Sequence, residues 1–186
     1  EDHGQYDDAR DLFWVSGAAY CCRAELFHSL GGFDGDYFAH MEEIDLSWRL
    51  QLAGWKIRIV PQSVVYHYGG GTLSTDSPRK IFLNHRNNLA MLFKCGSPWQ
   101  CLVALLLRPG LDCLAALTYL VQGHTAHFTA VFRAWWEVIG WCSALREKRR
   151  RVRAVVKQES KYIYRGSILW QYLIGKRRAN QLRLPR

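Results

Sequence analysis

Cys21, Cys22, Cys95, Cys101, Cys113 and Cys142 form no CxxC pair and no grouping with histidine at zinc spacing, which excludes the common structural zinc modules. Six cysteines in 186 residues are also too few for a secreted disulfide scaffold, so free thiols in the reducing cytosol are expected. A charged-then-apolar leader is missing as well. The chain starts on Glu1 rather than Met, its first eleven residues are polar and acidic, and the start has the character of an internal cut through a longer protein. Internal repeats and low-complexity segments are absent. Gly69-Gly70-Gly71 lacks a following GK[ST] and is no phosphate-cradling loop. The most apolar stretch, Trp99 to Val121, is broken by Arg108-Pro109-Gly110 and Asp112. No uninterrupted run approaches the roughly 20 residues of a spanning helix, and two short helices at a membrane interface are expected there.

What is present is a large apolar complement, 49% hydrophobic and 13% aromatic, enough for the core of one domain with an appendage. Charge divides the chain into three. Residues 1–94 carry 9 Lys/Arg against 12 Asp/Glu, net −3; residues 95–145 carry 2 of each; residues 146–186 carry 14 against 2, net +12. The expected organisation is an α/β portion over 1–94, apolar interfacial helices over 95–145 and a basic tail over 146–186. Phe132, Trp135, Trp136 and Trp141 lie just before the basic run, the composition of a peripheral helix on an anionic leaflet.

Leu12 to Cys22 is an apolar run with a hinge at Gly17 that suits a buried strand. Arg23 to Leu30 predicts a short helix closed by Gly31-Gly32, and Phe33-Asp34-Gly35-Asp36 a turn. From Glu43, a helix of about three turns stops at Gly54. Lys56 to Val60 alternates as a strand, Ser63 to His67 is a second β-branched run, and Pro78 opens a helix through Lys94.

The sharpest chemistry lies in His40-Met41-Glu42-Glu43-Ile44-Asp45-Leu46, three carboxylates within four positions at a helix start. Acidic residues in a first turn are favoured by the helix dipole alone, so order and context decide. Trp14 and Gly17 precede Gly31-Gly32-Phe33-Asp34; the acidic cluster and Trp48-Arg49-Leu50 follow; then come Gly54-Trp55-Lys56-Ile57, Pro61 to His67, and Asn84-His85-Arg86-Asn87-Asn88. Over residues 1 to 94 this series resembles the second half of family 2 glycosyltransferases of the GT-A fold, particularly the bacterial rhamnosyltransferase-like members.

The resemblance implies the later half of a GT-A, Rossmann-like α/β domain followed by amphipathic helices. It implies an inverting transfer from a nucleotide sugar, such as a dTDP- or UDP-sugar, to a saccharide or lipid-linked acceptor of the cell envelope. Glu43 is then the candidate base, with Glu42 its alternative and Asp45 a supporting carboxylate that orients the acceptor or pairs with an arginine. Trp14, Gly17, Asp34 and Arg49 are expected at the substrate. His67 would join Mg²⁺ or Mn²⁺ bound by an upstream Asp-x-Asp; no such element precedes Trp14, and a chain without it is expected to be inactive alone. The expected location is the cytoplasmic face of the membrane, against anionic lipid. The rival readings are a non-enzymatic membrane adaptor and a basic nucleic-acid-binding module. Zinc, helix-turn-helix and RNP signatures are all absent, which weighs against nucleic acid as a partner.

Overall fold

The computed structural model describes residues 7–67 and 77–163, with Gly4 and Gly175. Helices dominate. Two-residue strands β1 (Asp11–Leu12) and β2 (Ile57–Arg58) pair antiparallel, Leu12 opposite Ile57. Between them lie a short helix α1 (Ala24–Ser29) and the three-turn helix α2 (Glu42–Leu52); α3 (Pro78–Cys95), α4 (Pro98–Val121), α5 (Thr125–Gly140) and α6 (Cys142–Ala154) follow.

The helices begin and end where residue chemistry requires. Gly31 and Gly32 take φ of +81° and +65° after α1, a region open to glycine at little cost. Pro78 and Pro98 occupy first turns, where a missing N–H costs nothing. Ser97 and Gln100 form a reciprocal capping box at the start of α4.

The expected sheet is much reduced. Leu12 to Cys22 continues past β1 as irregular chain with a 3-10 turn at Gly17–Ala19, and Ser63 to His67 is not a strand. Strands need partners for their backbone groups, and among the described residues only β1 and β2 find each other. Val64, Val65 and Tyr66 consequently stand exposed. The helical chain with its small sheet is compatible with a partial GT-A domain.

Residues 98 to 121 also depart from expectation, forming one 24-residue helix that runs through Pro109. Its interrupting charges are satisfied inward. Arg108 Nε donates to Asp112 Oδ1 at 2.8 Å and its guanidinium to Asn88 Oδ1 at 2.5 Å, while Trp135 Nε1 donates to Asp112 Oδ2 at 2.8 Å. Polar residues facing α3 and α5 leave Leu106, Leu107 and Leu114 on an open apolar face. By length and composition this one helix among the described residues could cross a membrane.

One core draws on all three compositional segments: Tyr37, Trp48, Leu52, Ala90, Met91, Cys95, Leu145 and Val152 cluster together. The boundaries at 94/95 and 145/146 are thus changes of composition inside a shared core. The basic run is partly internal as well. Arg149 donates to the carbonyls of Phe93 and Gly96, and Arg153 to those of Cys95 and Gly96, placing cations at the C-terminal end of α3. Beyond α6 the chain returns to α2, where Lys157 N–H donates to Leu52 O at 2.7 Å.

Candidate active site

Helix α2 is held by Gln51, whose amide donates to the carbonyls of Leu12 and Phe13, and by Arg49, which donates to those of Leu30 (2.5 Å) and Gly32 (2.7 Å). Its first turn carries Glu42, Glu43 and Asp45.

The approach to that turn is unusual. Phe38, His40 and Met41 all have positive φ, at +64°, +67° and +73°, although none is glycine. Phe38, with ψ of −57°, is the centre of a γ-turn closed by Ala39 N–H on Tyr37 O at 2.7 Å, the rare and strained variety. Each such residue costs on the order of 1–3 kcal/mol, and strain of this kind collects at functional sites.

Three buried polar atoms next to this loop have no partner: His40 Nε2, Glu42 Oε2 and Glu43 Oε2. Both glutamates are half-buried. Burial pushes the Glu43 carboxyl up from its usual value; N–H groups at the helix start oppose this and the Glu42 charge adds to it. Burial likewise holds the His40 imidazole below its ordinary value, with Lys80 contributing. A carboxylate raised toward neutrality with a free buried oxygen is what a general base requires. Gly17 stands directly over it: a Cβ there would lie 3.7 Å from Glu43 Cβ. Trp14, 43% exposed, is on the same irregular segment as Gly17.

Asp34 and Arg49, expected at the substrate, are turned inward, as is the supporting carboxylate Asp45. Asp45 is fully buried and pairs with Arg49 at 2.7 Å and Lys94 at 2.8 Å, so of its two expected roles it has the arginine partner. Asp34 is spanned by Lys94 at 2.6 Å and Lys148 at 2.5 Å. Burial alone would raise its carboxyl, but the two lysines outweigh that and hold it at about 2. With Lys148 also on Asp36 at 2.6 Å, charges alternate through Arg49, Asp45, Lys94, Asp34, Lys148 and Asp36. Such residues fix the turn beneath the site, and their donors and acceptors are already occupied.

His67 is exposed, and among the described residues no three His, Cys, Asp or Glu side chains converge as a metal group. The residues described therefore do not fit a divalent cation by themselves.

Arg86 and Asn87 entered the sequence reading within Asn84-His85-Arg86-Asn87-Asn88, a segment of the family resemblance, with no role at the site assigned to either. The Asn87 amide nitrogen sits 3.0, 2.9 and 2.8 Å from the carbonyl oxygens of Tyr37, Ala39 and His40. Arg86 donates to the carbonyls of Asp36 (2.8 Å) and Tyr37 (3.1 Å) and to Glu137 of α5 (2.7 Å). Asparagine and arginine together on a helix otherwise facing a core were the available signal, since buried donors of that number require a matching set of acceptors.

Residues 5–142 match the model of the glycosyl transferase family group 2. Over 90 residues the chain is 33% identical to an N-acetylglucosaminyl-diphospho-decaprenol L-rhamnosyltransferase of Mycobacterium tuberculosis, covering 48% of this chain and 29% of that protein. It is 40% identical over 55 residues to rhamnosyltransferase WbbL of Escherichia coli, covering 30% of this chain and 21% of the relative. With a pre-mycofactocin glycosyltransferase of Mycobacterium tuberculosis it shares 30% over 117 residues, 58% of this chain and 25% of that one. No solved structure gives a significant match. The chain spans less than a third of the length of these relatives. With the family model matched over most of its length and rhamnosyltransferases among its relatives, the chain belongs to glycosyl transferase family group 2, as a rhamnosyltransferase-like member.

Proposed function

We propose that this chain is the acceptor-side portion of an inverting glycosyltransferase, the later part of a GT-A domain, that moves a hexosyl or rhamnosyl unit from a nucleotide sugar to a lipid-linked saccharide in envelope polysaccharide synthesis. The observation that carries this is the half-buried Glu43 carboxylate, its Oε2 without a hydrogen-bond partner, at the end of a strained loop in a chain of glycosyltransferase family. Glu43 takes the proton from the acceptor hydroxyl as its oxygen attacks the anomeric carbon, and the nucleoside diphosphate leaves from the opposite face. One carboxylate suffices for this; a hydrolase of the usual kind places two across the bond. Glu42 raises the proton affinity of its neighbour and is the alternative base. Gly17 and Trp14 provide the wall facing the acceptor. His67 is proposed only as a residue near the departing diphosphate, and no step is assigned to a cation.

The open face of α4, with Trp136 and Ile139 of α5, is proposed to lie in the cytoplasmic interface of an anionic membrane, where a lipid-linked acceptor is reached. An interfacial position suits α4 better than a spanning one: its Arg108–Asp112 edge is bonded to α3 and α5, so lipid can reach one flank only.

The test is nucleoside diphosphate release from a panel of dTDP- and UDP-sugars, with the chain alone and in a form extended upstream, with and without a lipid-linked saccharide. Acceptor-dependent release supports the reading. Failure of every donor and acceptor in both forms would sink it in favour of a membrane adaptor.

A further inference from the structure

We propose that Asn87 and Arg86 are positioning residues for the acidic pair, clamping the loop in which Phe38, His40 and Met41 take positive φ so that α2 starts with Glu43 aimed at the acceptor. This rests on Glu43 being the base.

The donors of the clamp all go to one place. Asn87 is fully buried, and its two amide protons are shared among the carbonyls of Tyr37, Ala39 and His40, the segment that contains the γ-turn. Arg86 lies beside it, with Nε on Asn87 Oδ1 at 2.9 Å, which orients the amide so that its nitrogen faces the loop. The rest of the guanidinium spans Asp36 and Tyr37 carbonyls on one side and Glu137 on the other, and it stacks on Trp141 at 4.6 Å. Neither residue bonds to Glu42 or Glu43 among the described contacts, so their effect passes through backbone.

The loop needs such a clamp. Phe38 is 63% exposed, its ring beneath the Arg79 guanidinium at 4.5 Å, and it buries little surface to compensate its positive φ. Met41, also left-handed, is the residue whose carbonyl accepts the first bond of the helix, from Asp45 N–H at 2.8 Å. Released from the carbonyl bonds, residues 38–41 would relax toward ordinary φ and turn the first helical residues with them. Displacements of about 1 Å at a reacting group cost on the order of 100-fold in rate.

The experiment uses whichever form of the protein turns over a nucleotide sugar. Asn87→Ala is expected to lower kcat about 10- to 100-fold with donor KM nearly unchanged, and to move the acid limb of the pH profile toward the ordinary glutamate range as the carboxylate becomes solvated. Phe38→Gly added to that variant is expected to recover part of the loss, because glycine adopts the left-handed conformation unaided. An unchanged kcat, or a loss that Phe38→Gly leaves untouched, overturns the proposal. If Asn87→Ala does not fold, the same cycle is run with Arg86→Lys, which keeps a cation for Glu137 and loses the fork on the loop. Glu43→Gln is measured in parallel. Full activity in that variant removes the base reading itself, whereas an inactive Glu43→Gln beside a fully active Asn87→Ala removes only the clamp.

Discussion

Glu43 and Asp34 lie nine residues apart and have been tuned in opposite directions. Burial raises the first, and two lysines hold the second at about 2. A base must be ionised to act, so kcat/KM is expected to fall on acidification through a pKa above the 4.5 of an unperturbed glutamate, measured as the acid limb of the pH profile. The same shift affects stability. A carboxyl whose folded pKa is raised favours folding below its unfolded value and loses that contribution as pH rises through the folded one. Glu43→Gln should therefore unfold at a slightly higher temperature than the parent at pH 7, seen by calorimetry; a lower Tm would mean that Glu43 is a structural residue. The acidic cluster was legible because three carboxylates so close together stand out. Its division of labour came from the resemblance, which already allowed Asp45 an arginine partner; that Lys94 also reaches Asp45 was not legible, because it depends on where α3 arrives.

Among the elements, helix boundaries were legible wherever a local residue sets them: Gly31-Gly32 after α1, Gly54 after α2, Pro78 before α3. Strands were legible in part: β2 falls inside the alternating run Lys56 to Val60, whereas a β-branched run such as Val64-Val65 becomes a strand only beside a partner. Helix α4 was misjudged because Pro109 and Arg108 count as breaks along the chain. In three dimensions Arg108 finds Asp112 one turn on and Asn88 across on α3. That pairing leaves Leu106 and Leu114, 70% and 61% exposed, on the open face. Glutamate at both positions is expected to abolish sedimentation with anionic vesicles while leaving the circular dichroism spectrum intact, and parent binding should weaken as salt is raised. Undiminished binding by the double variant would remove α4 from the interface. Truncation at residue 128 is a poorer probe, since it strips Leu145 and Val152 from the core.

At the scale of the whole molecule, the alternating charges from Arg49 to Asp36 join α2, the Asp34 turn, α3 and α6. A surface reading of the basic C-terminal run missed this, because Lys148 differs from Arg150 only in facing inward. Lys94→Met leaves Asp45 and Asp34 short of a cation and is expected to cost about 3–5 kcal/mol in a denaturant titration; a change under 1 kcal/mol would mean that Arg49 and Lys148 compensate. Asp34 is depressed, so its stabilising contribution is present above 3.8 and is lost as pH falls from there toward 2, where acid unfolding should set in. On the proposed reading, the Asn87 clamp places the Glu43 carboxylate, and these charges hold the turn and helices around it. The most direct measurement is nucleoside diphosphate release by Glu43→Gln and Glu42→Gln beside the parent at saturating donor. A loss of about 10²- to 10⁴-fold in kcat for Glu43→Gln, with a smaller one for Glu42→Gln, is the expected result; parental activity in Glu43→Gln would contradict the account.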